Sequence, residues 1–225
     1  MAIIKKYLVK IVSIINPIDG VYTLELGSLG KPFKYEPGQF LHLAIDEYDP
    51  AGQWPESRCF SMQSAPGEEF IRITYAVKNR FTTRMQQELK SGKQVTLKLP
   101  YGDLFTQPHN KTNTVFIAGG TGITPFLSLF THESFIEYIN PHIYLGFRSK
   151  EFNIYLAELN FVELCEPKIF YQDSDGIIDI NQIFDENGTE SDYFISGPPV
   201  MIKTFKQVLI GKGVPTNNIL TDDWE

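Results

Sequence analysis

The chain has 225 residues, a formal net charge of −7 at pH 7 and a sequence pI of about 5.2. This acidic balance argues against a nucleic-acid-binding surface, because phosphate backbones select for Lys and Arg. The two cysteines, Cys59 and Cys165, lack C-x-x-C spacing and the four histidines are scattered, so no zinc, iron–sulfur or other metal site is expected. Lysines interrupt the apolar N-terminal stretch MAIIKKYLVKIVSIINP, which excludes a signal peptide or membrane span there and predicts a cytoplasmic protein.

Residues 1–107 are typical of a small antiparallel β-barrel. Short segments rich in β-branched and aromatic residues are separated by Gly, Pro and Asp. One stretch, TTRMQQELKSG, is predicted to be helical, with Met85 and Leu89 one turn apart and Gly92 as its C-terminal stop. The predicted strands are YLVKIVSII, GVYTLEL, GQFLHLAI, FIRITYAV and QVTLKLP.

The pattern changes after a polar linker at 106–113, and residues 108–225 alternate strands with helices. This alternation predicts a parallel sheet covered on both faces. The predicted strands are TVFIAG, HIYLGFR, PKIFYQ and DYFIS; the predicted helices begin near Thr124 and cover NIYLAELNF, INQIFDEN and PPVMIKTFKQVLIGKG.

The glycine-rich turn AGGTGITP follows the first strand of this second region. Gly119, Gly120 and Gly122 would let the backbone approach a ligand and adopt positive φ. Thr124 is predicted to cap the following helix and Pro125 to occupy its first turn. Free N–H groups and the helix dipole would then make an anion site. The alternative is a tight strand-to-helix turn without a ligand.

A second signal is SRCFSMQSAP, residues 57–66. On an extended strand, Arg58 and Phe60 share one face and Ser61 points to the other. A guanidinium, an aromatic ring and a hydroxyl this close together could serve one ligand with a flat ring and a phosphate. The alternative is a buried Phe beside a surface Arg.

Taken in chain order, these motifs resemble the signatures of the ferredoxin–NADP(+) reductase superfamily. RCFSMQS (58–64) is similar to its R-x-Y-S-x-x-S motif, GGTGITP (119–125) to its nicotinamide-dinucleotide pyrophosphate motif, and SGPP (196–199) to its C-G-P-P motif. EPGQ (36–39), YAVK (75–78) and LPYG (99–102) resemble landmarks of its barrel. The resemblance covers essentially the whole chain.

The resemblance implies a six-stranded antiparallel β-barrel that binds FAD in residues 1–107. It also implies a doubly wound α/β domain with a five-stranded parallel sheet that binds NAD(P)H in residues 108–225.

In the barrel, Arg58 would pair with the FAD pyrophosphate, Phe60 would pack on the flavin ring and Ser61 would hydrogen-bond near flavin N5. Thr82 and Thr83 would donate hydroxyl and N–H groups to the pyrophosphate, although KNRFTTR lacks the family's usual glycine before them. The other implied cofactor-binding residues of the barrel are Cys59, Tyr75, Ala76 and Val77.

In the second domain, the resemblance implies that Gly120, Thr121 and Gly122 cradle a pyrophosphate. Arg148 would meet a phosphate or ribose. Gly197, Pro198 and Pro199 would form the wall of a nicotinamide pocket, beside Ser196, where many relatives have a cysteine. Near the carboxyl end, Asp222 and Trp224 fit an acidic and an aromatic residue that the family brings near the flavin; a solvent-exposed tail is the alternative. The implied catalytic residues are therefore Ser61, Ser196, Asp222 and Trp224.

The implied activity is hydride transfer from NAD(P)H to FAD, then electron transfer to a separate acceptor such as ferredoxin, flavodoxin or an oxygenase. The alternatives are direct reduction of a small molecule such as free flavin or chelated iron, and a non-autonomous electron-transfer subunit. Gln172, Asp173 and Asp175 stand where NADPH-preferring relatives place Ser and Arg. An acidic residue near the ribose favours the free 2′-hydroxyl of NADH, whereas Arg148 and Lys150 favour a phosphate. On balance the sequence favours NADH.

Overall fold

The computed structural model describes residues 3–159 and 165–222 of the chain. The chain divides into two compact units, with the division between Asp103 and Leu104. This division lies a few residues before the boundary that the sequence predicts at 107. Each unit has its own sheet and its own hydrophobic core, and each is described by itself.

Six strands form the sheet of the first unit: β1 (Lys5–Ile18), β2 (Val21–Ser28), β3 (Phe40–Ala44), β4 (Ser57–Ser61), β5 (Phe70–Ala76) and β6 (Gln94–Tyr101). Their order is β4-β3-β6-β1-β2-β5, and every neighbouring pair is antiparallel. The two edge strands, β4 and β5, approach each other. The N–H of Gln63, just after β4, donates to the carbonyl of Arg72 in β5 at 2.8 Å. This hydrogen bond nearly closes the sheet into a barrel. Helix α1 (Arg80–Glu88) joins β5 to β6.

Alternating burial along the strands gives this sheet one apolar face. In β1, Tyr7, Val9 and Ile11 are at most 3% exposed, whereas Leu8 and Lys10 between them are exposed. A period of two residues is the spacing at which successive side chains of a strand share a face. The buried residues form a single core inside the first unit.

Two polar side chains tie separate segments of the first unit together. The Nε2 of Gln39 donates to the carbonyl of Gly102 at 2.8 Å, which ties EPGQ to LPYG. The buried hydroxyl of Tyr35 lies 3.1 Å from Ser64 Oγ and 2.9 Å from the carbonyl of Ala65, and burial raises the pKa of Tyr35. Buried polar groups need such partners, so these residues stabilise the barrel.

Five strands form the sheet of the second unit: β7 (Thr114–Gly119), β8 (His142–Phe147), β9 (Lys168–Tyr171), β10 (Asp192–Ser196) and β11 (Ile219–Thr221). Their order is β11-β10-β7-β8-β9, and all pairs are parallel. The helices are α2 (Thr124–Phe130), α3 (Leu156–Leu159), α4 (Ile180–Asn187) and α5 (Pro199–Gly211).

The parallel sheet is covered on both faces, as expected for strands that read as continuous apolar runs. Phe116 and Phe194 pack with residues of α2 and α3 on one face. Ile117 and Ile195 pack with residues of α4 and α5 on the other. The six-stranded antiparallel sheet followed by this doubly wound parallel sheet confirms the predicted fold class.

The ends of helix α1 differ from the sequence prediction. The helix begins at Arg80, before the predicted TTR, because the Asn79 side chain accepts the N–H of Thr82 at 3.0 Å and caps it. It ends at Glu88, where Leu89 turns to an extended conformation. Gly92 was predicted to stop the helix, and this is wrong, since Gly92 lies in the turn that leads into β6.

No helix among the described residues has the length and apolar character needed to cross a lipid bilayer. Helix α5, with 13 residues, is about 20 Å long, compared with a hydrocarbon layer of about 30 Å. Within the same residues, no group of three or more His, Cys, Asp or Glu side chains could hold a metal ion.

Candidate functional site

The glycine-rich turn and the SGPP segment lie at the ends of two neighbouring strands. Strand β7 leads through α2 to β8 on one side of the sheet, and β10 leads through α5 to β11 on the other. The strand order therefore reverses between β7 and β10, where Ser196 pairs with Ala118. In open α/β sheets, ligands bind at the carboxyl ends of the strands at such a switch point.

The two turns at this point touch through their backbones. A Cβ atom on Gly122 would lie 2.5 Å from both the Cα and the N of Gly197. A Cβ on Gly119 would lie 2.9 Å from the sulfur of Met201. Gly120, by contrast, faces open space, and it alone of the three predicted glycines has positive φ, at 55°. The turn is thus packed against the end of β10 at Gly122, while at Gly120 the space beside the backbone is empty. A ligand could approach the backbone there.

A 3₁₀ turn, Gly120–Ile123, leads directly into α2. Thr124 does not cap the helix, because it is already helical and its hydroxyl donates to the carbonyl of Thr121 at 2.9 Å. The predicted cap is therefore wrong, whereas the place of Pro125 in the first turn of α2 is confirmed. The first N–H groups of the 3₁₀ turn have no acceptor within the turn and can receive an anion.

Ser196 and Asp222, both predicted to be catalytic, are hydrogen-bonded to each other. Ser196 is the last residue of β10 and is 1% exposed, and its Oγ donates to Asp222 Oδ2 at 3.2 Å. The N–H of Asp222 donates to the carbonyl of Ile195 at 3.0 Å, which holds the carboxylate beside β10. The structure thus brings the pair next to Gly197, while the catalytic role of both residues stays a prediction. Trp224, the fourth predicted catalytic residue, lies outside the described residues.

The residues expected to read the nucleotide ribose follow β8 and β9. Arg148 is exposed, with its Cζ 5.9 Å from the ring centroid of Phe152. The carboxylate of Asp175 accepts the N–H of Tyr171 at 2.8 Å and so belongs to its own turn. Arg148, Lys150, Gln172 and Asp173 are exposed after these two strands, as are Glu151, Ser174, Asp175 and Ile177.

A buried acceptor lies beside these strand ends and was not anticipated from the sequence. Asn153 is 4% exposed, and its Nδ2 lies 3.3 Å from the hydroxyl of Tyr171. Its Oδ1 has no hydrogen-bond partner within the described part of the chain. Since buried acceptors are rarely left unpaired, this oxygen could accept a hydrogen bond from a ligand amino group.

In the first unit, Arg58 lies over an aromatic ring and beside a carboxylate. Its Cζ is 5.2 Å from the ring centroid of Phe81 in α1. Its Nη2 donates to Glu56 at 3.0 Å and its Nη1 to the carbonyl of Ser57 at 2.8 Å. The guanidinium has five N–H groups, so further donors remain for a phosphate. Phe81 and Glu56 were both missed by the sequence prediction, because only the fold brings Phe81 to β4.

The other predicted residues of the barrel are largely covered by protein. Phe60 is 9% exposed and packs edge-on against Tyr75, with ring centroids 6.1 Å apart. Tyr75 also stacks on Tyr22, and burial raises the pKa of Tyr75. Ser61 is 8% exposed, and Ala76 and Val77 are half-buried. Contact of any of these residues with a flavin stays a prediction.

The side chain of Cys59 lies on the face of β4 opposite to Arg58 and Phe60. Its Sγ is 3.5 Å from Nε2 of His42 on β3. A ligand held by Arg58 would therefore meet the backbone of Cys59 and not its thiol.

Thr82 and Thr83 use their donors inside the cap of α1. The N–H of Thr82 donates to Asn79 Oδ1, and its Oγ1 accepts the N–H of Asn79 at 3.0 Å. Both the N–H and the hydroxyl of Thr83 donate to the Asn79 carbonyl at 2.9 Å. The structure gives no support for these groups as pyrophosphate donors. The N–H groups of Arg80 and Phe81, in the same first turn of the helix, have no acceptor within the helix. Asn79 before a helical stretch is the sequence signal that could have placed this cap.

A family model described as an FAD-binding domain matches residues 5–129. The chain is 34% identical over 104 residues to terephthalate 1,2-dioxygenase, reductase component 2, from Comamonas sp, a match that covers 45% of this chain and 29% of that protein. It is 26% identical over 212 residues to the propane 2-monooxygenase reductase component of Rhodococcus jostii (strain RHA1), covering 84% of this chain and 55% of that protein.

The fold is also similar to a solved structure. A ferredoxin NADP+ reductase from Neisseria gonorrhoeae, crystallised with bound FAD and NADP, superposes with a TM-score of 0.79 at 18% identity, covering 97% of this chain and 98% of that chain. At this identity the likeness concerns the fold alone. The chain spans 29% and 55% of the lengths of the two curated relatives, so the activities of those whole proteins do not follow from the matches.

Changing Gly122 to Ala should destabilise the second unit more than changing Gly120 to Ala. The Cβ at position 122 would overlap the backbone of Gly197, which no side-chain rotation can relieve. We expect a loss of more than about 2 kcal/mol for G122A from overpacking. For G120A we expect about 1 kcal/mol, from left-handed backbone alone. Urea unfolding of both variants measures the difference, and equal losses would contradict the close approach.

Proposed function

Because this chain belongs to the FAD-binding domain family, within the ferredoxin–NADP(+) reductase superfamily, we propose that it is a flavin-dependent NAD(P)H oxidoreductase. It would take a hydride from NAD(P)H to FAD and pass the electrons to a separate acceptor protein. When bound, these two cofactors supply the redox chemistry, and the protein supplies binding, orientation and electrostatics.

The observation that carries the proposal is the backbone contact between Gly122 and Gly197 at the switch point of the second unit. It leaves the 3₁₀ turn open at Gly120, with N–H groups available to a pyrophosphate. The same contact places Ser196 and its partner Asp222 beside the cradle. A dinucleotide whose phosphates lie on the turn would thus have a hydroxyl and a carboxylate at the neighbouring strand end.

The residues of the first unit that fit a flavin nucleotide are Arg58 and the start of α1. The Arg58 guanidinium lies over Phe81, with its Cζ 5.2 Å from the ring centroid, and it has further N–H groups for a phosphate. The backbone N–H of Phe81 lies in the first turn of the helix, where it has no acceptor within the helix. Ser61 would place its hydroxyl near the reacting part of the flavin. In this role it orients the ring and donates or accepts one hydrogen bond.

For the acceptor, we propose an oxygenase or a small electron-carrier protein on a separate chain. The two curated relatives are, by their names, reductase components of a dioxygenase and a monooxygenase, which supports an oxygenase partner. We keep the cytoplasm as the proposed location. Cell fractionation would test it.

For the coenzyme, we propose a preference for NADH. Residues 104–225 contain seven Lys and Arg against sixteen Asp and Glu. A 2′-phosphate adds nearly two negative charges near neutral pH, which an acidic surface repels. Asp173 is exposed after β9, where it can receive a ribose hydroxyl, whereas Arg148 is an exposed cation available to a phosphate.

The protein reconstituted with FAD should be yellow and should bleach when NADH or NADPH is added without oxygen. The matched control is G122A, which alters only the second unit and should keep FAD but bleach more slowly. Absorbance spectra under anaerobic conditions measure both. A colourless protein that does not take up FAD would overturn the proposal. Turnover with free flavin or ferric chelate alone, at the rate seen with protein acceptors, would favour direct reduction of a small molecule.

Changing Ser61 to Ala should slow flavin reduction about tenfold, because a hydrogen bond near the reacting atoms is worth about 1–1.5 kcal/mol. Single-turnover stopped-flow kinetics measure this step directly. Ser28→Ala, which removes an exposed hydroxyl bonded to the carbonyl of Lys31, is the control and should react at the wild-type rate. An unchanged rate in S61A would remove Ser61 from the mechanism.

Steady-state kinetics should give a higher kcat/KM with NADH than with NADPH. Replacing Arg148 with Gln should increase the ratio of kcat/KM with NADH to kcat/KM with NADPH, because it removes a cation that can pair with the 2′-phosphate. A hydrogen bond to a charged group is worth about 1.5–3 kcal/mol. Lys212→Gln, a change at the C-terminal cap of α5, is the control. A kcat/KM ten times higher with NADPH would refute the preference.

A further inference from the structure

Charged side chains form a cluster where the loop before β4 meets helix α1. The guanidinium of Arg84 in α1 donates to Asp46 at 2.7 Å and to Glu88 at 2.8 Å. Glu56 lies between two cations, with its Oε1 3.0 Å from Nη2 of Arg58 and its Oε2 4.0 Å from Nη1 of Arg84. We call these five residues, Asp46, Glu56, Arg58, Arg84 and Glu88, the charge cluster.

Glu56 is the carboxylate of the charge cluster that acts on Arg58. Hydrogen bonds from Arg84 lower the pKa of Asp46 and the pKa of Glu88, so both carboxyl groups are ionised at neutral pH. Because Arg84 already binds these two carboxylates, little of its charge is left for Glu56. The shorter contact of Glu56 is accordingly the one with Arg58.

The pair of Arg58 and Glu56 is open to solvent, so a ligand can reach it. The two side chains are 49% and 43% exposed. An exposed ion pair contributes little to the stability of a protein, so the fold does not depend on this one. The Glu56 carboxylate therefore lies beside the guanidinium that is proposed to hold the phosphate of the flavin nucleotide, and its charge can act on binding.

A phosphate bound to Arg58 would be repelled by Glu56. Two groups hydrogen-bonded to one guanidinium lie within about 8 Å of each other, which is the distance over which charges interact at physiological ionic strength. The repulsion between like charges grows with the charge that the phosphate carries. This step rests on the proposed function, in which Arg58 contacts the flavin nucleotide.

The two common flavin nucleotides differ in this charge. Flavin mononucleotide (FMN) ends in a phosphate monoester, which carries about 1.5–2 negative charges near pH 7. In FAD the same phosphate is esterified on both sides and carries a single charge, and the second charge lies on the neighbouring phosphate. The N–H groups of Arg80 and Phe81 at the start of α1 can receive that second phosphate. FMN therefore concentrates beside Glu56 a charge that FAD distributes over two sets of donors.

We propose that Glu56 makes the flavin site selective for FAD over FMN, because its carboxylate repels the more highly charged phosphate of FMN more strongly. Arg58 attracts the phosphate of either nucleotide, and Glu56 opposes this attraction most where the charge is largest. Glu56 is thus a specificity-determining residue that acts through its charge and makes no hydrogen bond to the flavin.

The test compares the dissociation constants of FAD, FMN and riboflavin, measured by flavin fluorescence at neutral pH and low ionic strength. Glu56→Gln should strengthen FMN binding about fivefold and FAD binding about twofold, the range expected for one exposed charge pair. Riboflavin has no phosphate, so its binding should not change. Equal gains for FAD and FMN, a loss of affinity for either, or a gain for riboflavin as large as that for FMN would overturn the proposal.

Glu88→Gln is the matched control. It removes the same charge from the charge cluster, but the Glu88 carboxylate is bound to Arg84, 2.8 Å from its Nε. The ratio of the FMN and FAD dissociation constants should stay at the wild-type value in E88Q protein that circular dichroism shows to be folded. A ratio that changes as much in E88Q as in E56Q would show that the net charge of the cluster sets the selectivity, and the role assigned to Glu56 would be wrong.

Ionic strength separates repulsion from a change in packing. In 1 M NaCl the Debye length is about 3 Å, so the advantage of E56Q over wild type in FMN binding should disappear. An advantage that persists in 1 M NaCl would mean that the substitution alters the shape of the site, which contradicts the proposal.

Arg58→Gln distinguishes failure of this inference from failure of the proposed function. It should weaken the binding of FMN and FAD and leave that of riboflavin unchanged. If R58Q binds all three flavins like the wild type, the phosphate contact of Arg58 is wrong and the selectivity argument falls with it, although the protein still binds flavin. A wild-type protein that binds none of the three flavins would refute both the selectivity and the proposed function.

Discussion

The absence of side chains between Gly122 and Gly197 is the constraint on which the candidate nucleotide site depends. Strands β7 and β10 are neighbours, and their following turns would collide if either carried a Cβ directed at the other. Because the turns touch, the 3₁₀ segment can lie flat against the end of β10 and present its N–H groups outward. The same closeness leaves Ser196 beside the turn, where Asp222 reaches it from β11.

In the first unit, the segment from Arg58 to Ser64 makes three different kinds of contact. Two of them differ because successive side chains of a strand point to opposite faces. Arg58 points to one side, where α1 supplies Phe81 beneath it. Cys59 points to the other side and meets His42. Ser64, at the end of the stretch, has left the strand, and its Oγ accepts the N–H of Arg72 at 3.0 Å. A motif that looks like a single ligand-binding signature therefore combines a predicted ligand contact with the closure of the barrel.

Periodicity and turn residues were sufficient to predict much of the fold. TVFIAG and DYFIS match β7 and β10 residue for residue, because each is a buried run bounded by polar or glycine residues. The start of α1 was missed because Asn79 competes with Thr82 as the cap, and only the backbone geometry shows which side chain accepts the N–H. The predicted roles of Thr82 and Thr83 as pyrophosphate donors stay predictions, and the structure shows these donors bonded to Asn79 in the cap.

The site shows the same division between what a sequence pattern can and cannot predict. The turn after β7 can bind an anion through its backbone N–H groups. The position of these groups depends on glycines and on the start of a helix, and both can be recognised in the sequence. Discrimination between NADH and NADPH depends instead on where exposed side chains end up. Asp175 was predicted from the sequence to be an acidic residue near the ribose, and in the structure its carboxylate also accepts the N–H of Tyr171 within its own turn. Asp173 and Arg148 are both exposed and carry opposite charges, and neither belongs to a motif. Recognition of a pyrophosphate can therefore be preserved through many substitutions, while coenzyme preference can change with one or two residues in the loops after β8 and β9.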